Sequence, residues 1–316
     1  MPKFLIAGTV AYDSLKTPQG ERPRILGGSG LHAAVAASIL LKKINLLSVV
    51  GGDFEPQYLA FLQKRGVDLR GLKIIKEGQT FAWNGFYEKD MNVAHTVQTA
   101  LNVLTQFDPV LPPEYLDSAF VFLGNIDPAL QTKIFAQLPA RKFGALDTMN
   151  YWIDSQKENL LKAIAETDLL FINDAEIRQL TGEDNLFRAA RVLLTGRLRY
   201  VIIKKGEHGA MLISAERIAI VPSMPLDEIV DPTGAGDSFA GGFMSYIVEH
   251  ASTAYPQDTP LSAGGMDWDT LRAALVYGTM TASFNVQGFG CEKLAEITKA
   301  DLDERLKVFR EITRIS

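Results

Sequence analysis

Between residues 119 and 206 the chain alternates short apolar runs with segments of helical spacing, and few folds accept that rhythm. AFVFLG (119–124), FGALD (143–147), DLLFIN (168–173) and YVIIKKG (200–206) read as strands. The segments 128–138, 155–166, 174–181 and 184–196 read as helices. Strands that alternate with helices imply a mostly parallel sheet covered on both faces, an α/β fold in three layers. Ligands of such sheets lie beyond the carboxyl ends of the strands. Asn125, Asp127, Asp147, Asn173, Glu176, Lys205 and Asp237 all fall at or near those ends. Their convergence on one edge is what a single site requires.

The most informative turn is Asp231-Pro232-Thr233-Gly234-Ala235-Gly236-Asp237, followed by Ser238-Phe239-Ala240-Gly241-Gly242. The apolar run 217–223 precedes it, and Phe239, Phe243, Tyr246 and Ile247 recur downstream at helical spacing. A turn therefore opens a helix. Pro232 fixes φ, and Gly234 and Gly236 permit a close approach of backbone to ligand. The free N–H groups of a first helical turn, with the helix dipole, favour an anion there. Asp237 places a carboxylate in the same turn. An anion cradle beside a base is what phosphoryl transfer to a hydroxyl needs.

The string D-P-T-G-A-G-D-S-F-A-G-G resembles the C-terminal signature of the ribokinase-like, or PfkB, carbohydrate kinases. The resemblance implies a single domain over 1–316 with a small β-sheet lid. It implies ATP and Mg²⁺ as donor and cofactor, Asp237 as base, and the amides of Gly234, Ala235 and Gly236 as the anion hole. Thr233 would line the nucleotide site. A monovalent cation such as K⁺ would sit beside Asp231.

Other stretches fit the same family. Residues 3–8 read as a first buried strand, and Asp13 follows in a loop, where the family binds sugar hydroxyls. A carboxylate suits that task, accepting from two neighbouring hydroxyls at once. Gly27-Gly28-Ser29-Gly30-Leu31-His32 resembles the family's N-terminal Gly-Gly signature, with Gly27 and Gly28 near the substrate. His32 stands where the family usually has Asn. It either replaces that Asn as a sugar partner or simply packs, and the change argues against ribose itself. Asp147 is a further substrate candidate. Asp53 is read as a cap for a helix over 55–65.

Asn173 and Glu176 have the N-x-x-E spacing that influences Mg²⁺ and phosphate binding in the family. Glu176 would act on the metal through water, as suits Mg²⁺. The same pair is close to an ordinary capping box. Gly206 and Gly209 match the family's T/K-x-G-x-x-G turn along the nucleotide; Lys204 or Lys205 would reach a phosphate. Residues 67–100 alternate like strands, with Phe81, Trp83, Phe86 and Tyr87, and are read as the lid. Exposed apolar strands are a liability unless covered, so a homodimer through the lid is expected.

Several classes are disfavoured. The net charge of −5 gives no sign of a nucleic-acid partner. With one cysteine, Cys291, no internal disulfide or cysteine metal cluster can form. No apolar run approaches ~18 residues and the N-terminal run is short for a signal peptide, so neither a membrane span nor export is expected and the cytoplasm is. GTVAYDS after the first strand is not a G-x-G-x-x-G fingerprint, which disfavours a dinucleotide-dependent oxidoreductase; no P-loop occurs either. The family's keto-deoxy acid kinases carry D-P-N-x-R where this chain has Asp147-Thr148-Met149-Asn150-Tyr151. A carboxylated acceptor is therefore disfavoured. Phe81, Trp83, Met149 and Trp152 would give a flat wall for a base or ring, or serve as packing. The expected function is ATP-dependent phosphorylation of a neutral sugar, cyclitol or nucleoside. The alternative is a non-catalytic sugar or nucleotide sensor on the same scaffold. The stretch 251–266 reads as a surface loop.

Overall fold

The protein is described by a computed structural model over residues 3–254 and 266–314. In chain order the strands are β1 Phe4–Ala7, β2 Ala11–Thr17, β3 Gly20–Gly27, β4 Ile44–Gly51, β5 Val67–Ile75, β6 Ala82–Tyr87, β7 Ala94–Ala100, β8 Phe120–Leu123, β9 Phe143–Asp147, β10 Leu169–Asn173, β11 Tyr200–Lys204, β12 Ala210–Ile213 and β13 Ile218–Val221. The helices are α1 Ser29–Ala37, α2 Pro56–Lys64, α3 Pro128–Ala136, α4 Asn150–Ser155, α5 Lys157–Ala165, α6 Asp174–Thr181, α7 Leu186–Leu193, α8 Ala235–Ala254, α9 Trp268–Asn285, α10 Glu292–Glu296 and α11 Lys299–Ile312. The expected loop over 251–266 is in its first residues the end of α8; 255–265 lie outside the described residues.

A nine-stranded sheet runs in the order β13-β12-β11-β10-β9-β8-β1-β4-β5. It is parallel from β11 to β5, with β12 and β13 added antiparallel at one edge. Strand phase divides the core into two halves. Phe120, Phe122, Phe143, Ala145, Leu169, Phe171, Tyr200 and Ile202 pack with α1, α8 and α9. Val121, Leu123, Leu146, Leu170, Ile172, Val201 and Ile203 pack with α3, α5, α6 and α7. Side chains alternate along a strand, so the last residue of each strand inherits its face. Asp147 therefore continues the Phe143–Ala145 row, Asn173 the Leu169–Phe171 row and Lys204 the Tyr200–Ile202 row. All three are delivered to the edge over which α8 begins.

The small sheet differs from expectation. Its order is β3-β2-β6-β7, so half of it comes from residues 11–27 and not from 67–100. Residues 67–75 are instead β5, the edge strand of the large sheet. Asp13 is thus on a strand, not in a loop. The alternation of AYDSLKT was the available signal: Tyr12 is buried against Phe54 and Tyr58, while Asp13 faces the other way. β2 pairs parallel with β6 and sets Asp13 beside Trp83 on one face of the lid. Asp53 does not cap α2, whose N-cap is Glu55. Asp53 accepts instead from the amide and hydroxyl of Thr80 and pairs with Arg24, which ties the lid's base to the large sheet. No helix among the described residues is long and apolar enough to cross a membrane.

Candidate active site

The turn 231–237 is held from below by side chains. Asp231 is fully buried; its Oδ1 accepts from the Thr233 amide at 2.9 Å and its Oδ2 from the Gly290 amide at 2.9 Å. Asn285, at the end of α9, donates through Nδ2 to the Thr233 carbonyl at 2.8 Å. Its Oδ1 accepts from Ser238 Oγ at 2.9 Å and from His32 Nδ1 at 3.0 Å. One buried amide thus fixes both flanks of the turn. From above, Tyr87 of the lid shares a 3.0 Å hydrogen bond with Thr233 Oγ1. Sequence reasoning missed both Asn285 and Tyr87. Asn285 looked like the last residue of an Ala-rich helix, and Tyr87 like one aromatic among several.

Gly234 has φ +72°, a conformation that L side chains rarely adopt. α8 then begins at Ala235. The first-turn amides have no i−4 partner within the helix. Asp237 lies in this turn, half-buried and closely surrounded by protein. Burial, then the nearby charge of Asp147, pushes its carboxyl up to about 7 against the pull of Lys204.

Three strand ends meet it. Lys204 Nζ donates to Asp147 Oδ2 at 2.6 Å, and the Thr148 amide donates to Asp147 Oδ1 at 2.9 Å. Asp147 therefore reaches the site with both oxygens engaged, as the partner of a lysine and not as a free sugar ligand. Asn173 and Glu176 form a reciprocal capping box at α6: Asn173 Oδ1 accepts from the Glu176 amide at 2.7 Å, and Glu176 Oε2 from the Asn173 amide at 2.8 Å. Burial pushes the Glu176 carboxyl up to about 7, with Lys204 pulling it down and Asp147 pushing it up. Of the two lysines, Lys204 enters this cluster. Lys205 has the opposite strand phase and makes a backbone bond to the Gly209 carbonyl in the β11–β12 turn. Gly206 (φ +54°) and Gly209 (φ +86°) shape that turn; a Cβ on Gly209 would lie 2.1 Å from the Val221 carbonyl.

Asp13 approaches the same turn from the lid, within electrostatic reach of Asp231 and Asp237. It is buried, and burial followed by the charges of Asp231 and Asp237 pushes its carboxyl up to about 7. The Gly28 amide donates to it. Gly27 is needed for the room it leaves, since a Cβ there would lie 1.9 Å from Asp13 Oδ2. Gly28 has φ +98° and starts α1. Ser29 Oγ donates to the Asn125 carbonyl, and Asn125 Oδ1 accepts from Trp152 Nε1 at 2.7 Å. Asn125, Met149 and Trp152 thus stand beside the glycine turn. Asp127 is the N-cap of α3, accepting from the Ala129 amide.

His32 is almost fully buried beneath Gly234: a Cβ on that glycine would lie 2.3 Å from His32 Nδ1. Its Nδ1–H donates to Asn285, which leaves Nε2 unprotonated and without a hydrogen-bond partner. Burial lowers its pKa to about 4, so the ring is neutral. Of the two roles open to it in the sequence, this geometry shows packing, as a support under the anion turn.

The first-turn amides of α8 and the nearby carboxylates are the kinds of group that phosphate and Mg²⁺ would take up. Among the described residues no group of three or more His, Cys, Asp and Glu side chains could hold a metal by itself. That donor set fits an ion carried mainly by phosphates and water, with Glu176 behind it.

Known proteins resemble this chain in sequence and in fold. The model of the pfkB family carbohydrate kinases matches residues 6–298. A cytidine kinase of Thermococcus kodakarensis is 28% identical over 249 residues, covering 78% of this chain and 88% of that protein. The nucleoside kinase of Burkholderia thailandensis, solved with inosine, superposes with a TM-score of 0.78 at 20% identity over 98% of both chains. An Escherichia coli protein described as a Ribokinase II, solved with ATP and Mg²⁺, superposes with a TM-score of 0.78 at 18% identity over 98% of this chain and 100% of that one. The chain belongs to the pfkB family of carbohydrate kinases.

Proposed function

We propose that the protein moves the terminal phosphoryl group of ATP to a primary hydroxyl of a nucleoside. The observation that carries this reading is a pair of neighbouring carboxylates, Asp13 on the lid and Asp237 in the anion turn, within electrostatic reach of one another. A ribose-sized acceptor between them donates two ring hydroxyls to Asp13. Its reacting hydroxyl loses a proton to Asp237 as the O–P bond forms and the bond to the departing diphosphate breaks. A loose transition state asks for that proton late, so a weak base suffices. The amides of residues 234–237 take up charge on the migrating group, the larger catalytic contribution. Bound Mg²⁺ would neutralise phosphate charge, with Glu176 holding it through water. Lys205, Gly206, Gly209 and Thr233 would border the nucleotide, and Tyr87 would tie the lid over it and exclude water. The names of the relatives and the aromatic surfaces of Trp83, beside Asp13, and Trp152 favour a nucleoside over a free sugar. The test is ADP formation across nucleosides, free ribose, inositol and sugar phosphates. Turnover confined to free sugars or sugar phosphates would overturn the nucleoside reading.

A monovalent cation beside Asp231 belongs to this proposal. That carboxylate is fully buried and burial pushes its pKa up, a penalty that an ion such as K⁺ beside it would relieve. Activity in K⁺ should exceed that in tetramethylammonium; equal rates would remove the ion. Exposed apolar side chains of the lid region include Phe86, Val93 and Val97, the last 63% exposed. This supports a homodimer through the lid, which sedimentation would reveal as twice the monomer mass. A reducing cytoplasm, where ATP is plentiful, suits the reaction.

Asp13→Asn separates function from stability. A carboxyl whose folded pKa (about 7) exceeds its ordinary 3.8 loses its proton later in the folded state than in the unfolded one. As pH rises between ~4 and ~7 the unfolded chain ionises first, so stability is lost across that window. Asn removes the penalty. The variant should be more stable than wild type at pH 8, by as much as about 4 kcal/mol, and so melt higher, with no difference near pH 4, while its KM for the acceptor rises. A lower melting temperature at pH 8 would contradict the buried-charge account.

A further inference from the structure

A second cationic region lies at the amino ends of the strands, opposite the anion turn. The loop before β4 meets the turn before β5 there: a Cβ on Gly66 would lie 2.3 Å from the Lys42 carbonyl, and the Ile44 amide donates to the Gly66 carbonyl at 3.1 Å. The eight residues of β4, at about 3.3 Å each, separate the two ends of the sheet by roughly 20 Å. Between the end of α1, the end of α2 and the α10–α11 junction is a cavity of about 580 Å³. Lys42, Lys64, Arg65 and Lys299 line it and no Asp or Glu does, in a chain of net charge −5. Arg65 is half-buried. Its Nε donates to Ser38 Oγ at 2.6 Å and its Nη1 to the Ala295 carbonyl at 3.0 Å, both neutral acceptors. A guanidinium has five N–H donors, so three remain for a ligand. Burial lowers the pKa of Arg65, a cost that an opposing charge would offset. Lys299 pairs with Glu249 at 3.0 Å, whereas the Lys42 and Lys64 ammonium groups have no ion-pair partner among the described residues. A lysine in the last turn of a helix complements its dipole, which accounts for Lys64 at the end of α2. That leaves unexplained a desolvated guanidinium that faces three further cations and no acid.

We propose that this cavity is a second ligand site, which binds an organic phosphate monoester with its phosphate among Arg65, Lys42 and Lys64. A dianion matches several cations gathered without an acid, and charged N–H donors make strong bonds to phosphate oxygens. The rest of the wall asks for more than a bare ion. Phe61 and Ile297 line it with apolar surface, and the Arg65 guanidinium lies 6.0 Å from the centre of the Phe61 ring. The carbon body of the ester rests against these two side chains. The volume is that of a small-molecule pocket. No bond is made or broken there, and the site stands whether or not the acceptor of the phosphoryl group is a nucleoside.

The experiment titrates the full chain by calorimetry, without nucleotide, with phenyl phosphate, inorganic phosphate and neutral benzyl alcohol at about 150 mM KCl, where exposed charges are largely screened. Phenyl phosphate should bind, inorganic phosphate roughly tenfold more weakly, and benzyl alcohol not measurably. Arg65→Gln should lower the affinity for phenyl phosphate roughly tenfold or more, the loss of charge-assisted bonds. Should Arg65→Gln fail to fold because Ser38 and Ala295 lose their donor, Lys42→Gln/Lys64→Gln alters only exposed side chains and must show the same loss. The anion turn is a competing place for the probe, so Gly234→Ala is titrated as well and should keep wild-type affinity. Binding lost in Gly234→Ala but kept in Lys42→Gln/Lys64→Gln would put the probe in the anion turn and overturn the proposal. Equal affinity for phenyl phosphate and inorganic phosphate would overturn the monoester assignment. No binding at this salt concentration would reduce the cations to a solvated surface and end it.

Discussion

Asp237→Asn should bind nucleotide about as well as wild type and turn over roughly 10²–10⁴-fold more slowly, the usual worth of a positioned general base. Asn is nearly isosteric, so the turn keeps its shape and the anion hole survives. In wild type the rate should rise with pH through about 7, because burial and Asp147 hold the carboxyl protonated below that point. Only the ionised form accepts the hydroxyl proton. Asp13 and Glu176 are also pushed to about 7, so the limb needs assignment. If Asp237 sets it, the limb persists in Asp13→Asn, whose defect lies in KM. Measuring kcat and kcat/KM from pH 5 to 9 for wild type and both variants separates the cases. Undiminished turnover by Asp237→Asn would mean that another group takes the proton.

Gly234→Ala should cut activity sharply for a reason independent of charge. Its backbone lies at φ +72°, which costs an alanine about 1–3 kcal/mol when the surroundings hold it there. The new methyl would also meet the His32 ring, 2.3 Å from Nδ1 and 2.4 Å from Cγ. That ring cannot swing aside, because it is buried and bonded to Asn285, which also anchors Thr233 and Ser238. The turn must move instead, and misplacement by about 1 Å can cost ~10²-fold in rate. We expect kcat/KM to fall by at least that factor. Gly234→Ala/His32→Ala should recover part of the loss, since it removes the clash and leaves the backbone strain. No recovery would show that strain alone sets the effect.

Much of this site was legible in the sequence because it is local. A turn that opens a helix, with two glycines and a carboxylate in five residues, carries its chemistry in adjacent positions. The Asn173–Glu176 box is likewise a property of one helix end. What failed to show was whatever depends on partners far along the chain. The lid's second half lay in residues 11–27, because strand pairing is non-local and Asp13 gains its neighbour Trp83 only through β6. Lys204 and Lys205 are indistinguishable as residue types. Strand phase separates them, and could have done so in advance, since Ile202 and Lys204 share a face with Tyr200. His32 sat inside a substrate motif, but its role follows from Gly234, some two hundred positions away in the chain. Asn285 had no local signal at all; its importance is that one side chain reaches three other residues.

The central claim is that this cleft carries a phosphoryl group from ATP to a nucleoside's primary hydroxyl with Asp237 taking the proton. It is tested most directly by incubating the protein with ATP, Mg²⁺ and cytidine or inosine and following the products by phosphorus NMR. The account predicts a monoester resonance coupled to the two protons of a primary carbon, growing with ADP and absent with Asp237→Asn. ADP accompanied only by inorganic phosphate, or a monoester that forms equally well without the Asp237 carboxylate, would contradict it.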